Sequence, residues 1–470
     1  MTITLQENQT DLDALALQAL GPQYPELTEK ELNHLCKEAT TAVAGRKKRD
    51  DYFQGEVHLA SMGVNVPPEL DILKTVFNYP MIAVNSIEER QDVEGFRLAG
   101  DAEASEMMWE IWQRNDLDEQ SSMAHQEALV QKRAYLIIGQ DDDGLAAITV
   151  HTAEGMHVEF DRVTRRVTKA FHVWASGDGA KHEDVSATLY TAAYNQDYYR
   201  RDGIWTVGEI RVHNIGYVPV VPMVNRARIG DFRGRSEMDA VVKWTDAAAR
   251  LLTNLQVAAE FLAMPQRMLF GVEKGEVTMD GALSKLQAYA TNLLGFSDKD
   301  AKAVQFAGAD LRNFNETLTT LNRAVCAHTG LPLSYLGISA ANPSSADAIV
   351  NEEARLIKKV ERKNKLFGAA WELAMRIALI IEGKNTKATR VETIWRDPAT
   401  PTMASKVDAV IKLRTPNVNG DPVISDEKAR EMIGMSAEEN RLEGQRLAKA
   451  KLDPLIDAYG LQRKAAPVGS

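Results

Sequence analysis

Cysteine is nearly absent from this chain of 470 residues: the two present, Cys36 and Cys326, lie far apart. That argues against a disulfide framework and a thiolate zinc site, and it suits a reducing compartment. Long apolar runs are missing too. Without a stretch of about 18 apolar residues, no membrane span is predicted. The opening "MTITLQENQTDLDALALQAL" lacks a basic n-region and an apolar h-region, so no signal peptide is expected. Positive charge falls short, with 55 Lys and Arg against 66 Asp and Glu, a net charge of −11. A chain with that balance is poorly suited to gripping nucleic acid by its phosphates. It still suits a protein that borders DNA and must not stick to it. What remains is ordinary soluble composition, 44% hydrophobic and 26% charged, long enough for two to four domains with a substantial core.

The common catalytic constellations are also missing. A phosphate-binding loop needs Gly-x-x-x-x-Gly-Lys-Ser/Thr, so that backbone N–H groups and a lysine surround the phosphates. Here Gly383-Lys384 is followed by Asn385, and Ala378 stands where the first glycine belongs. "GDGAKH" (Gly177 to His182) lacks the third glycine of a dinucleotide fingerprint and leads into a strand, so it reads as a hairpin turn. "QDDDG" (Gln140 to Gly144) lacks the alternating ligands and distal Glu of a calcium loop and also reads as a turn. His151 and His157 flank "TAEGM" and are candidates to face each other across a hairpin, but no third ligand has suggestive spacing. There is no Gly-x-Ser-x-Gly elbow and no His-Glu-x-x-His. No catalytic, cofactor or metal residues are nominated.

Architecture is what stands out. Residues 28–50 read as one amphipathic helix whose end, Arg46-Lys47-Lys48-Arg49, is either a basic patch or, the favoured reading, a solvated helix end whose cations suit the C-terminal dipole. "DAEASEMMWEIWQRN" and "EQSSMAHQEALVQKRA" carry apolar residues at helical spacing. "AYLIIG", "AAITVHT", "MHVEFD", "TKAFHVWA" and "SATLYTAAY" are short runs split by turns, and they predict an antiparallel meander. Residues 237–263 then predict a helix about 40 Å long, with Val241, Thr245, Ala248, Leu252, Leu255, Ala259 and Leu262 on a narrow seam. A compact insert follows, with strands at "QRMLFGV" and "AVQFAG" and a helix at "GALSKLQAYATNLL". A second seam, Leu311, Phe314, Leu318, Leu321 and Val325, ends at Gly330 and Pro332.

The third long helix follows a plain loop, "SAANPSSADA". Ser344 and Asp347 match a capping box, and Leu356, Val360, Phe367, Trp371, Ala374, Ala378 and Ile381 mark one face. Gly368 is a candidate bend and Gly383 a candidate C-terminal cap. Narrow seams with broad charged flanks suit packing against copies of the same chain.

In this order the segments resemble the portal (head–tail connector) proteins of tailed bacteriophages, of the type common in phages with long non-contractile tails. The resemblance spans about residue 28 to about 445. It rests on "DYFQGEVHL", "EERQDVEGFRLAG", "MWEIWQRNDLD", "VPVVPMVNRARIGDFRGRSEM", "AEFLAMPQRMLFGV", "TIWRDPATPTMASKVDAVIKL" and "SDEKAREMIGMSAEE". The most specific block is "TGLPLSYLGISAANPSSADAIVNEEARLIKKVERKNKLFG". One departure is Gln131-Lys132, where many relatives carry Tyr-Gly before the first meander strand.

The resemblance implies an α+β, portal-like subunit. Its parts would be a mixed α/β wing (1–236), a two-helix stem (237–263 and 309–330), a small α/β clip inserted between the stem helices (264–308) and a turn with tunnel loop (331–348). A long spine helix (349–383), a wing return strand and linker (384–415) and a helical crown (416–470) would complete it. It implies a non-enzymatic homo-oligomeric ring, dodecameric in the virion, at one capsid vertex. Double-stranded DNA would pass through the ring during packaging and ejection. The ATPase would be the separate terminase large subunit, docking on the clip and later replaced by a head–tail adaptor. Scaffold and major capsid proteins would meet the wing, and assembly would take place in the host bacterial cytoplasm, away from membranes.

The loop residues Ser339, Ala340, Ala341, Asn342, Pro343, Ser344 and Ser345 would line the channel. Arg355, Lys358, Lys359, Arg362, Lys363 and Lys365 cluster at the head of the spine helix and would touch DNA or carry inter-subunit or solvated charge, the latter favoured; the first four are the nominated ones. The alternatives are a terminase-type packaging enzyme, which requires a phosphate-binding loop and clustered acidic metal ligands, or a minor capsid or other connector protein, which would be shorter and lack the stem–clip–stem order.

Overall fold

The computed structural model describes residues 26–41, 45–56, 75–98, 102–175, 184–226, 228–229, 233–263, 267–270, 293–296, 312–338, 346–384, 390–399, 403–416, 422–435, 440 and 442–447. The fold is α+β, in two compact units, residues 1–398 and 399–470.

Helix α1 (Glu29–Thr41) opens on a capping box: the Glu31 carboxylate accepts from the Thr28 N–H at 2.9 Å. Where one helix was predicted over 28–50, the structure has two. Gly45 takes the left-handed conformation (φ 82°), which a helix cannot carry through, and α2 (Arg46–Gln54) starts afresh. The basic run therefore sits at a helix N-terminus, the wrong end for the dipole reading. Its cations go elsewhere. After α3 (Tyr79–Glu88), strand β1 (Val93–Leu98) and α4 (Ala102–Arg114) comes α5 (Leu117–Gln131). Arg46 reaches Glu127 on α5 at 3.0 Å, and Arg49 reaches Gln131 at 2.7 Å.

The predicted meander is split between two sheets. Strands β2 (Arg133–Gln140), β3 (Ala146–His151) and β9 (Val220–Val224) form one, in the order β3-β2-β9. Strands β4 (Met156–Phe160), β5 (Val167–Ala175), β6 (Val185–Tyr190), β7 (Tyr194–Arg201) and β8 (Ile204–Val212) form the other, antiparallel and in chain order. Gly155 lies where the chain crosses over. Its φ is 69°, and a Cβ there would stand 2.4 Å from the Val173 carbonyl oxygen. The single strand predicted at "SATLYTAAY" is two, because Thr191 Oγ1 accepts from the N–H of Ala193 and Tyr194 (3.3 and 3.0 Å) and turns the chain. Gln140 to Gly144 is a turn as predicted, with Asp141 accepting from the N–H of Asp143 and Leu145. His151 and His157 do not face each other. The His151 ring packs on His172 at 5.3 Å, and His157 pairs with Phe171 in register. Gly177 to His182 lies outside the described residues.

The long helices follow. A 3-10 turn (Glu237–Ala240), capped by Ser236, leads into α6 (Val242–Ala263). Its seam is graded: Val241, Thr245 and Ala248 are buried, while Leu252, Leu255 and Ala259 are half-exposed. Strands β10 (Arg267–Phe270) and β11 (Leu293–Phe296) pair in parallel. The end of the predicted insert helix is thus strand; the rest of it, and "AVQFAG", lie outside the described residues. Helix α7 (Arg312–Thr329) shows the same gradient, with Val325 buried and Leu321, Leu318 and Phe314 half-exposed. Gly330 (φ 81°) ends it, its N–H on the Cys326 carbonyl at 2.8 Å.

Helix α8 (Ala346–Ile381) runs 36 residues, about 54 Å. Leu356, Val360, Phe367, Trp371, Ala374 and Ala378 are buried as predicted, and Ile381 is half-buried. Trp371 meets Trp112 of α4 edge-on at 4.9 Å, both fully buried, at the centre of the main core. Such large buried rings contribute several kcal/mol of core stability each. Gly383 (φ 79°) closes the helix as predicted, with Lys384 N–H on the Leu379 carbonyl at 2.9 Å. Gly368 does not interrupt it. A Cβ there would lie 3.1 Å from Trp395 Nε1, so the glycine lets strand β12 (Val391–Trp395) approach. That strand pairs antiparallel with β1.

In the second unit, α9 (Met403–Arg414) packs with α10 (Asp426–Met432), which Ser425 caps through the Lys428 N–H at 3.2 Å. Buried Asn440 ties α10 down, accepting from Arg430 at 2.6 Å and donating to the Glu427 carbonyl at 3.0 Å.

Candidate functional site

The seven loop residues Ser339 to Ser345 lie outside the described residues; both flanks are described, and they are firmly held. On the upstream side, a 3-10 turn (Leu333–Leu336) closes on Gly337 (φ 73°). On the downstream side is the head of α8. Arg90, between α3 and β1, grips both. Its Nη2 donates to the Tyr335 hydroxyl at 2.6 Å and to Glu353 at 3.0 Å, and its Nη1 donates to the Pro398 carbonyl at 2.7 Å. The Tyr335 hydroxyl in turn donates to Glu353 at 2.9 Å. Glu352 accepts from the Leu333 N–H at 2.8 Å.

Of the four nominated cations, two cap the neighbouring helix. Arg355 donates to the Ala327 carbonyl and Lys359 to the Thr329 carbonyl, each at 2.9 Å. These are last-turn carbonyls of α7 that its own backbone leaves unsatisfied, and cations there also suit its dipole. The Gly330 position faces Arg355: a Cβ there would be 3.1 Å from Arg355 Nε. Lys358 makes an exposed pair with Glu361 at 2.6 Å, a contact worth a few tenths of a kcal/mol at most. Arg362 is exposed and makes no polar contact among the described residues.

The strongest electrostatic feature joins Lys363, which the sequence places in the cation cluster of the spine helix, to Glu237, which the sequence does not mark. Glu237 is buried at the start of its 3-10 turn and faces Lys363 at 2.7 Å, Arg226 at 2.6 Å and Lys359. Lys363 also donates to the buried Asn225 side chain. Burial pushes the Glu237 pKa up, but Lys363, Lys359 and Arg226 outweigh it and hold the carboxyl at about 2. Burial pushes Lys363 down to about 8 and lowers Lys359, with Glu237 opposing both shifts. The directions agree: where cations outnumber the carboxylate, the acid ionises readily and a lysine sheds its proton more easily. Lys363 had a signal in the sequence. It falls three after Val360 and four before Phe367, on the buried stripe. Glu237 and Arg90 had none, because their partners are distant in the chain.

Higher on α8, the Trp371 indole donates to His125 Nε2 at 3.0 Å. His125 is fully buried, and desolvation lowers its pKa to about 3. Among the described residues, no three His, Cys, Asp or Glu side chains are grouped to hold a metal, and no helix is long and apolar enough to cross a membrane.

Residues 34–450 match the family described as phage portal protein, SPP1 Gp6-like. The portal protein of Mycobacterium phage L5 is 40% identical over 429 residues, 88% of this chain and 87% of that protein. The portal protein of Mycobacterium phage D29 is 40% identical over 407 residues, 84% of this chain and 83% of that protein. Among solved structures, a chain in the neck of a native GTA particle computed with C12 symmetry is similar at 14% identity, with a TM-score of 0.39. The match covers 81% of this chain and 98% of that one.

Proposed function

This chain belongs to the SPP1 Gp6-like phage portal family, and from that we propose that copies of it form a ring at one vertex of a tailed-phage capsid, through which double-stranded DNA is packaged and later leaves. The carrying observation is the family match over residues 34–450. The role is structural. The motor that drives DNA is a separate terminase large subunit, docked on the segment between α6 and α7 (264–308). A head–tail adaptor takes that surface afterwards. Scaffold and major capsid proteins meet the N-terminal α/β part. The protein is a virion component assembled in the host bacterial cytoplasm without a membrane, as a dodecamer in the finished particle.

The half-exposed seams of α6 and α7 support self-assembly: Leu252, Leu255, Phe314, Leu318 and Leu321 are only partly covered within one chain, and neighbouring copies would cover them. Ser339 to Ser345 line the narrowest part of the channel. A loop without charge touches phosphates without holding them, so the DNA slides. The clamp at Arg90 fixes where both ends of that loop stand. Of the four nominated cations, Arg362 is the one with no polar contact among the described residues, so it carries the channel or inter-subunit role. Arg355, Lys358 and Lys359 act mainly within the subunit. Electron microscopy of the purified protein tests the reading: rings with a central hole are expected, and a stable monomer that hydrolyses ATP on its own would overturn it.

A further inference from the structure

Glu237 is one carboxylate facing three cations, Arg226, Lys359 and Lys363. With all four ionised the cluster carries a surplus of two positive charges (three minus one). Surplus charge away from water is costly. Among the described residues no second carboxylate pairs with these cations; Asn225 Oδ1 and the Thr329 carbonyl are neutral acceptors. The cluster has an open side. The side chains of Lys363 and Glu237 are 4% and 1% exposed, while those of Lys359 and Arg226 are 19% and 38% exposed.

The backbone holds Arg226 there against its own preference. Its φ is 55°, a left-handed conformation unusual for arginine. Asn225 beside it is locked by three contacts: its N–H on the Lys132 carbonyl, its carbonyl on the Arg235 N–H, and its side-chain amide on the Arg235 carbonyl, at 2.9, 2.9 and 2.8 Å. Gly234 (φ 71°) packs so closely that a Cβ would stand 2.6 Å from the Asn225 oxygen and 2.7 Å from that of Lys132. A strained, over-determined turn thus presents a cation at the open side of a cluster already rich in cations. The Arg226 guanidinium has five N–H donors, and its contact to Glu237 runs through Nη2.

We propose that this cluster is an oxyanion site: a carboxylate or phosphate group enters over Arg226 and Lys359 and supplies the negative charge that Glu237 alone does not. The planar guanidinium fork suits two oxygens of one group. The depth of Lys363 and Glu237 disfavours the backbone of duplex DNA as the source. The two sources that share the chemistry are free phosphate and a carboxylate of a second copy, and the acidic balance of the chain, 66 acids to 55 bases, makes carboxylates plentiful.

The test is thermal unfolding of the dispersed full-length chain titrated with inorganic phosphate, with potassium chloride holding ionic strength constant. A saturable rise in Tm is expected. Arg226→Gln and, as a second variant should the first not fold, Lys359→Gln should each need about ten-fold more phosphate, the loss of one charge-assisted contact. A flat wild-type titration, or variants that respond like wild type, would overturn the site. Asp231 lies outside the described residues, so Asp231→Asn is included; a response found only in that variant would place the missing charge in the chain itself and overturn the proposal. Displacement of phosphate by a duplex oligonucleotide would overturn the assignment to a small oxyanion or protein carboxylate. A further arm rests on the portal reading. Assembled rings that ignore phosphate while the dispersed chain responds identify a neighbour's carboxylate, and rings that respond identify a free oxyanion. Failure to form rings would sink the portal reading and leave the first arm standing.

Discussion

Arg90 Nη2 stands 3.0 Å from a Glu353 carboxylate oxygen, and the same nitrogen holds the Tyr335 hydroxyl, so one side chain joins the residues just before and just after a loop. Both partners of the ion pair are largely buried, at 13% and 17% side-chain exposure, and removing one leaves the other without its counter-charge. Arg90→Ala is expected to cost about 2–3 kcal/mol, read as a lower urea midpoint at unchanged m-value. Arg90→Lys should recover less than half, because a lysine cannot reach three acceptors in one plane. A double-mutant cycle with Glu353→Gln measures the coupling, and additive losses would refute the clamp.

Glu237→Gln is expected to destabilise the chain by about 3 kcal/mol, since it leaves buried cations uncompensated. Adding Lys363→Met should restore part of the loss. The acid limb gives an independent reading. The folded pKa of Glu237, about 2, lies below the ordinary glutamate value of 4.5. Its stabilisation is therefore complete above pH 4.5 and is lost as pH falls from there toward 2. Acid unfolding followed by circular dichroism should be steeper between pH 4.5 and 2 in wild type than in Glu237→Gln.

His125 titrates with the opposite charge and the same pH sense. Burial favours the neutral ring and takes its pKa from 6.5 to about 3. Between those values the unfolded chain binds the proton and the folded chain does not, so stability falls as pH drops below 6.5. The full effect by pH 3 is on the order of 4 kcal/mol. Because the Trp371 indole donates to this ring, tryptophan fluorescence should follow the transition. His125→Gln, which keeps an acceptor, should flatten the slope between pH 6.5 and 3; an unchanged slope would count against this assignment.

Shortening Ala340 to Ser345 is expected to leave ring assembly intact, since the clamp joins residues outside that stretch. Packaging or retention of DNA should suffer. Counting packaged genomes in particles carrying the shortened loop decides it, and unchanged yield and retention would remove the loop from the channel.

Much of the fold was legible where the pattern is local. The buried stripe of α8 and its Gly383 cap follow from helical spacing and a left-handed glycine. The meander strands were legible one by one, but their division between two sheets was not. It depends on how tightly Gly155 presses on the Val173 carbonyl, a tertiary contact without a local signature. Helical periodicity alone puts the basic run at Arg46 at a helix C-terminus; the left-handed Gly45 before it makes it an N-terminus instead. Near the loop, the sequence marked a cluster of cations but not its sign balance. Glu237 lies more than a hundred residues before Lys359 and Lys363, and only the fold brings it to them.

The pairing of β1 with β12 sets an order of events in synthesis. Leu98 pairs with Val391 and Phe96 with Thr393, across about 300 residues of intervening chain. At about 5–20 residues per second, β1 leaves the ribosome roughly 15–60 seconds before its partner exists. Through that interval the N-terminal part of the nascent chain carries an open strand edge, the kind of surface on which two nascent chains pair wrongly. The loop-closing step comes only after the whole of α8 has been made, so this contact of high sequence separation closes over a helix of 36 residues.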